Sequence, residues 1–264
     1  MRESTMTAEI KSVSEGHTMV LTLSNPSQRN ALGPEMYAAG IEALNGAENN
    51  AEIRSVIMVG EGKWFCAGGS LQRLQANRAL DPSVQAESIE ALHTWIDTIR
   101  TFPKPVIAAV EGAAAGAGFS LAMACDLVVS ARDAVFAASY SNVALSPDGG
   151  LSWHLGRALP RQLASEWLML GDRLDAARLH ALGLVNELTE SGQALARALA
   201  LAERINARAP NSMASIKELL GEARGATLVD HLSQERDHFV RNLHHANAGI
   251  GIAAFLGKQT PRYE

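Results

Sequence analysis

The chain has 264 residues, near the upper end for one domain and ample for a large core. Hydrophobic residues are 47% and charged residues 19%, and the formal net charge is -5 with no Lys/Arg run, which argues against nucleic acid or an anionic membrane as a main partner. Cys66 and Cys125 are the two cysteines; they make no disulfide framework and have no further ligand at zinc spacing, so no metal and a reducing cytoplasm are expected. The opening MRESTMTAEIKS has no apolar signal-type stretch, and no run reaches the roughly 18 apolar residues of a membrane-spanning helix.

In chain order, Met19 to Leu23 reads as a strand, and Pro26 to Asn30 as a polar loop. Pro34 stands where a helix's first turn begins, and the helix is expected to run to about Leu44. Ser55 to Val59 is a second strand, stopped by Gly60-Glu61-Gly62. Gln75 to Pro82, polar and alanine-rich, reads as a mobile loop or loose helix beside the site. Ser88 to Thr101 is helical, with Ile89, Leu92, Ile96 and Ile99 on one stripe. Then come a strand over 105–110, a helix over 118–124 and a strand over 127–130. Strands alternating with helices predict an α/β class with parallel pairing. After residue 160 only helices are expected: 162–170, 176–182, 193–207, 212–222 and 227–245. Thr227 and Asp230 have capping-box spacing, and Leu228, Leu232, Phe239 and Leu243 make an apolar stripe. An α/β core followed by amphipathic helices suggests a core with an oligomerising tail.

Two glycine-rich turns follow apolar strands. They are Phe65-Cys66-Ala67-Gly68-Gly69 and the Gly-Ala run that opens the helix after Val110. Such turns expose backbone N–H groups that hold developing negative charge, and two of them converging on one oxygen make an oxyanion hole. Tight strand-to-helix packing is the competing reading. Gly116-Ala117-Gly118 lacks the third glycine of a dinucleotide fingerprint, because Leu121 stands there, and no GxSxG elbow exists. Asp148, in Ser146-Pro147-Asp148-Gly149-Gly150, is the best acid/base candidate, in a turn-forming context placed after an apolar strand. An Asx-turn or helix cap is its structural alternative. His93 lies on the helical stripe side near Leu92 and Ile96, and Tyr140 reads equally as a core aromatic. His244-His245 reads as a solvated helix end.

Several ordered motifs resemble the crotonase superfamily, the enoyl-CoA hydratases and isomerases. Leu23-Ser24-Asn25-Pro26 through Arg29-Asn30-Ala31-Leu32 is similar to its first segment, and Phe65 to Gly69 to its first oxyanion turn. Glu111 to Asp126 is similar to the second turn, and Ala253 to Lys258 to the C-terminal signature. The resemblance covers almost the whole chain. It implies an α/β spiral of ββα turns, a core over 1–200 carrying the acyl-CoA site, and a helical oligomerisation region over 201–264. It implies a homotrimer or dimer of trimers acting on an acyl-CoA thioester, with CoA as part of the substrate and no separate cofactor. By position, the oxyanion donors are the N–H groups of Gly69 and Ala117. Arg29 and Ala67 match positions lining the CoA site, and Phe255 and Lys258 match positions that reach CoA from a neighbouring subunit.

The departures from the family pattern choose among reactions. The two glutamates of the hydratases correspond to Ser120 and Tyr140, and neither is a carboxylate. Ser70 replaces the aspartate that commonly follows the first turn. Asp148 matches the catalytic aspartate of some relatives, and its Pro-Asp-Gly loop is most similar to the 1,2-epoxyphenylacetyl-CoA isomerase group. The expected function is an enoyl-CoA-type isomerase with Asp148 as base and with His93, Tyr140 and Ser120 in the acyl pocket. The alternatives are a hydratase with an atypical site, an aryl-CoA dehalogenase with Asp148 as nucleophile, and a silent acyl-CoA binder.

Overall fold

The computed structural model describes residues 8–223 and 225–263. β1 (Glu9–Glu15) and β2 (Thr18–Ser24) make an antiparallel hairpin. β1 escapes the sequence reading because it is a polar edge strand carrying only two apolar side chains. α1 (Pro34–Glu48) starts on its proline and β3 (Ser55–Gly60) is wholly buried. The segment over 75–82, read as a mobile loop or loose helix, holds the end of one helix and the turn into the next. α2 (Leu71–Asn77) is capped by Ser70, and α3 (Pro82–Thr101) starts six residues earlier than expected. Its cap is Asp81, whose carboxylate accepts from Ser83 N–H at 2.9 Å.

The next elements repeat a pattern. β4 (Val106–Val110), β5 (Ala113–Ala115) and α4 (Ala117–Ala124) form one ββα turn. β6 (Leu127–Ala131), β7 (Val135–Ala137) and α5 (Leu151–Ala158) form the next. α6 (Arg161–Leu170), β8 (Arg173–Asp175), α7 (Ala176–Ala181), β9 (Glu187–Thr189) and α8 (Ala194–Asn206) follow. The expectation of helices alone after residue 160 is therefore corrected: β8 and β9 are three-residue strands, too short to show a period. α8 runs across residue 200.

The first strand of each turn enters a large sheet ordered β1-β2-β3-β4-β6-β9, parallel except for β1 and β2. The second enters a small sheet ordered β5-β7-β8. A bridge between Cys66 and Ala114 adds the first glycine turn to the small sheet. The chain thus coils as the expected spiral of ββα turns. β3 and β4 are apolar on both faces because helices cover both. Val56, Met58, Val106 and Ala108 face the main core, while Ile57, Val59, Ile107 and Ala109 face Ala194, Ala198 and Ala202 of α8.

α9 (Pro210–Glu222), α10 (Leu228–Leu243) and α11 (Ala246–Leu256) form the helical tail. Lys217 Nζ ties α9 to the core, donating to Asp126 Oδ2 at 2.7 Å and Ile99 O at 2.9 Å. Thr227 caps α10, as its spacing predicts. The predicted stripe of α10 exists but is not covered by this chain: Leu228 is 72% and Phe239 69% exposed. Among the described residues no helix is long and apolar enough to cross a membrane.

Candidate active site

The two glycine turns meet. Phe65 N donates to Glu111 O at 2.9 Å, Cys66 N to Ala113 O at 3.0 Å, and Ala115 N to Cys66 O at 2.9 Å. Gly68 adopts φ +91, and a Cβ there would lie 2.6 Å from Ala115 O and 3.2 Å from Ala117 N. Only glycine permits this approach. On α4, Gly118 is packed as tightly, with a virtual Cβ 2.4 Å from Cys66 O. Gly69 N and Ala117 N therefore sit on abutting turns. Neither donates to a protein acceptor among the described residues. Ala117 opens a helix whose N-terminal dipole adds to the pull on an anion.

One helical turn beyond Ala117, Ser120 is fully buried and its Oγ donates to Asp148 O at 2.8 Å. Tyr140 Oη donates to Asp148 Oδ1 at 2.6 Å and lies 3.1 Å from Ser120 Oγ. The loop that carries Asp148 follows a 3-10 turn over Ser141–Val143, not a strand, and ends in Gly149 and Gly150, both at positive φ. A Cβ on Gly149 would lie 2.9 Å from Ser120 Cβ, so the glycine lets the loop press onto α4. Ser120, Tyr140 and Asp148 thus form one cluster beside the oxyanion turns.

Burial raises the affinity of Asp148 for its proton above the ordinary carboxylate range, opposed by the Tyr140 hydrogen bond and by His93. Burial, and then the Asp148 charge, push the Tyr140 phenol well up, so it stays a donor. Burial pushes the Cys66 thiol up to about 12, which leaves no thiolate for nucleophilic work. No group of three His, Cys, Asp or Glu side chains among the described residues is placed to hold a metal ion.

His93 is not in the packed stripe with Leu92 and Ile96. Its ring is half exposed, 3.7 Å from Glu90, on the rim of the site where its charge still reaches Asp148. Arg29 and Ala67 line a groove of about 290 Å³ on the outer side of the first turn. Arg29 sits over the Trp64 ring at 5.3 Å, and its carbonyl accepts from Ala67 N at 3.0 Å. Arg173 lines the same groove, a second guanidinium that the sequence reading did not single out. Phe255 is 84% exposed at the end of α11, and Lys258 follows it at φ +52; neither lines that groove.

Two other residues were missed, Tyr37 and Arg73. Tyr37 lies 3% exposed on α1, and Arg73 Nη2 donates to its hydroxyl at 3.5 Å. The pair lies next to the oxyanion turn, because Leu32 N donates to Gly68 O at 2.8 Å and Leu32 bridges Gly69. No local motif marks either residue; the fold brings them there.

Known proteins are similar to this chain over nearly its whole length. The family model described as enoyl-CoA hydratase/isomerase matches residues 14–264. A 1,2-epoxyphenylacetyl-CoA isomerase from Escherichia coli is 33% identical over 254 residues, covering 94% of this chain and 95% of that protein. An enoyl-CoA hydratase from Mycobacterium tuberculosis is 31% identical over 253 residues, covering 94% of each. A crystal structure of an enoyl-CoA hydratase from Polaromonas sp. JS666 superposes with a TM-score of 0.96 at 70% identity, covering 97% of this chain and 100% of that one. With the match extending from the first hairpin through the helical tail, the chain belongs to the enoyl-CoA hydratase/isomerase family of the crotonase superfamily.

Proposed function

We propose that this family member is an acyl-CoA isomerase that works through an enolate with one carboxylate base. The thioester carbonyl accepts hydrogen bonds from Gly69 N–H and Ala117 N–H. That polarisation acidifies the neighbouring C–H and holds the negative charge that forms on oxygen. Asp148, enclosed and hard to ionise, takes the proton as a carboxylate and returns it elsewhere on the conjugated acyl group. Tyr140 and Ser120 orient the Asp148 loop. His93 lies at the rim of the acyl pocket. Arg29 and Ala67 take CoA along their groove, where the guanidinium meets phosphate. Phe255 and Lys258 are assigned to the CoA of a neighbouring copy in a homotrimer or dimer of trimers, and the uncovered stripe of α10 supplies the contact.

The observation that carries this reading is the chemistry of the Asp148 cluster. Its other members are hydroxyls, and both are engaged with Asp148 itself. Positioning and activating a water by two carboxylates has no second carboxylate here. Hydration is the competing reading, favoured by the name of the 70% identical Polaromonas protein.

The test is incubation with crotonyl-, 3-enoyl- and arylacetyl-CoA in deuterium oxide, following label at the acyl carbons by mass spectrometry. Exchange and isomerisation falling about 100- to 10,000-fold in Asp148→Asn are expected. Hydration of crotonyl-CoA surviving Asp148→Ala overturns the reading in favour of a hydratase. An arylated Asp148 overturns it in favour of a dehalogenase, and binding with no turnover in favour of a silent binder.

A further inference from the structure

Beside the first glycine turn, Arg73 makes no ion pair among the described residues. Arg73 is half buried on α2, the helix that starts two residues after the first oxyanion donor. Its Nε is buried and makes no hydrogen bond. Among the described residues no carboxylate oxygen lies within 4.0 Å of its guanidinium. Its one side-chain hydrogen bond among the described residues is the long one from Nη2 to the Tyr37 hydroxyl at 3.5 Å. Nη1 packs over Gly33, where a Cβ would stand 3.2 Å from it and 3.0 Å from Oε2 of the exposed Glu35, a carboxylate close by but not in ion-pair contact. Gly33 follows Leu32, the residue bridged to Gly69, so the guanidinium stands beside the oxyanion turn. The Tyr37 hydroxyl also lies in the field of Asp148. Tyr37 thus touches Arg73 and feels the charge of Asp148, and neither Tyr37 nor Arg73 lines the Arg29 groove.

A guanidinium whose buried Nε has no hydrogen bond and which touches no carboxylate gains from an anion that reaches it. We propose that Arg73 and Tyr37 form a distal subsite of the acyl pocket that selects acyl groups bearing a carboxylate. The planar guanidinium edge matches a carboxylate with two parallel N–H donors, and the Tyr37 hydroxyl supplies a third donor. The substrates are then half-thioesters of short unsaturated dicarboxylic acids. The assignment rests on the reading of Gly69, Ala117 and Asp148 as the reacting site, since the acyl chain must leave the oxyanion turns toward α2.

The experiment compares matched thioesters that differ by the terminal carboxylate. The pairs are crotonyl-CoA with glutaconyl-CoA, and 2-hexenoyl-CoA with 2,3-dehydroadipyl-CoA. kcat/KM for deuterium incorporation and Kd by calorimetry are measured for the native protein, Arg73→Met and Arg73→Lys. The carboxylated member of each pair is expected to be preferred by about 10- to 100-fold, mostly in KM and Kd. Arg73→Met brings the ratio close to one, and Arg73→Lys recovers part of it. Equal use of both members by the native protein overturns the subsite. So does an Arg73→Met loss that is the same for both members, which marks Arg73 as a structural prop of α2. If no thioester exchanges, the isomerase reading fails, while the Kd ratio of the same pairs still decides the subsite.

Discussion

Replacing Tyr140 with phenylalanine removes one oxygen and leaves the ring in place. That oxygen donates to Asp148 Oδ1 at 2.6 Å, in a site where Tyr140 is 7% exposed. A hydrogen bond to a buried charge contributes about 1.5–3 kcal/mol. It favours the ionised carboxylate, whereas burial, the larger influence, favours the protonated one. Without the phenol, burial meets less opposition and Asp148 holds its proton to higher pH. Because the base must be ionised to act, the acid limb of the pH–rate profile moves up. Below the limb, turnover falls by about 10- to 150-fold, the same free energy expressed as a proton equilibrium. On the plateau above it the fall is far smaller, and KM changes little because the ring still fills the pocket. The assay is deuterium incorporation by Tyr140→Phe and the native protein across the acid range. A limb that stays in place or moves down, or a loss equal at every pH, refutes the assignment of Tyr140 as a donor that favours ionised Asp148.

Gly118→Ala places a Cβ 2.4 Å from Cys66 O and 2.7 Å from Cys66 Cβ. Overpacking of this kind costs about 1–3 kcal/mol, and prising the turns apart weakens an oxyanion donor, which is about 100- to 1,000-fold in kcat. A lower thermal midpoint together with lost turnover is expected; unchanged turnover contradicts the proposed role of the turns. His154 on α5 is held to about 4 by burial first, then by Arg100 and Arg157, against an ordinary 6.5. The unfolded chain takes up this proton from about pH 6.5 downward, and the folded chain only near pH 4. Stability fully present above pH 6.5 is thus lost between these values, by about 2–3 kcal/mol. Denaturant midpoints at about pH 7 and pH 4.5 should differ less in His154→Gln than in the native protein.

How much was legible in the sequence depends on whether a residue acts through its own segment or through a distant one. The buried runs of β3 and β4 announce themselves, because strands covered on both faces must be apolar throughout. Thr227 and Pro34 mark helix starts by local chemistry, and both do so here. β5 stays hidden because its three alanines look like part of the glycine turn. β8 and β9 are too short to show a period. Asp148 was found through its loop, and its place next to Ser120 and Tyr140 was expected from resemblance rather than from spacing. Arg73 and Tyr37 were missed, since 36 residues separate them and no motif contains either. Their meeting is made by the Leu32–Gly69 bridge, which belongs to the fold.

The frame around Gly69 and Ala117 is assembled from main-chain contacts: Phe65, Cys66 and Ala115 exchange hydrogen bonds with Glu111, Ala113 and Cys66 without using a single side-chain atom. Tyr140 and Asp148 come from the connection between β7 and α5, His93 from α3 and Arg73 from α2, and what each contributes is a side chain. On the proposed reading, exchanging Asp148 or Tyr140 changes the acid/base chemistry of the pocket while the main-chain frame of Gly69 and Ala117 stays. Proteins named as hydratases and a protein named as an isomerase are similar to this chain at about one-third identity and above. On the proposed reading, the main chain fixes where the carbonyl sits, and a handful of side chains decide what happens to its acyl group.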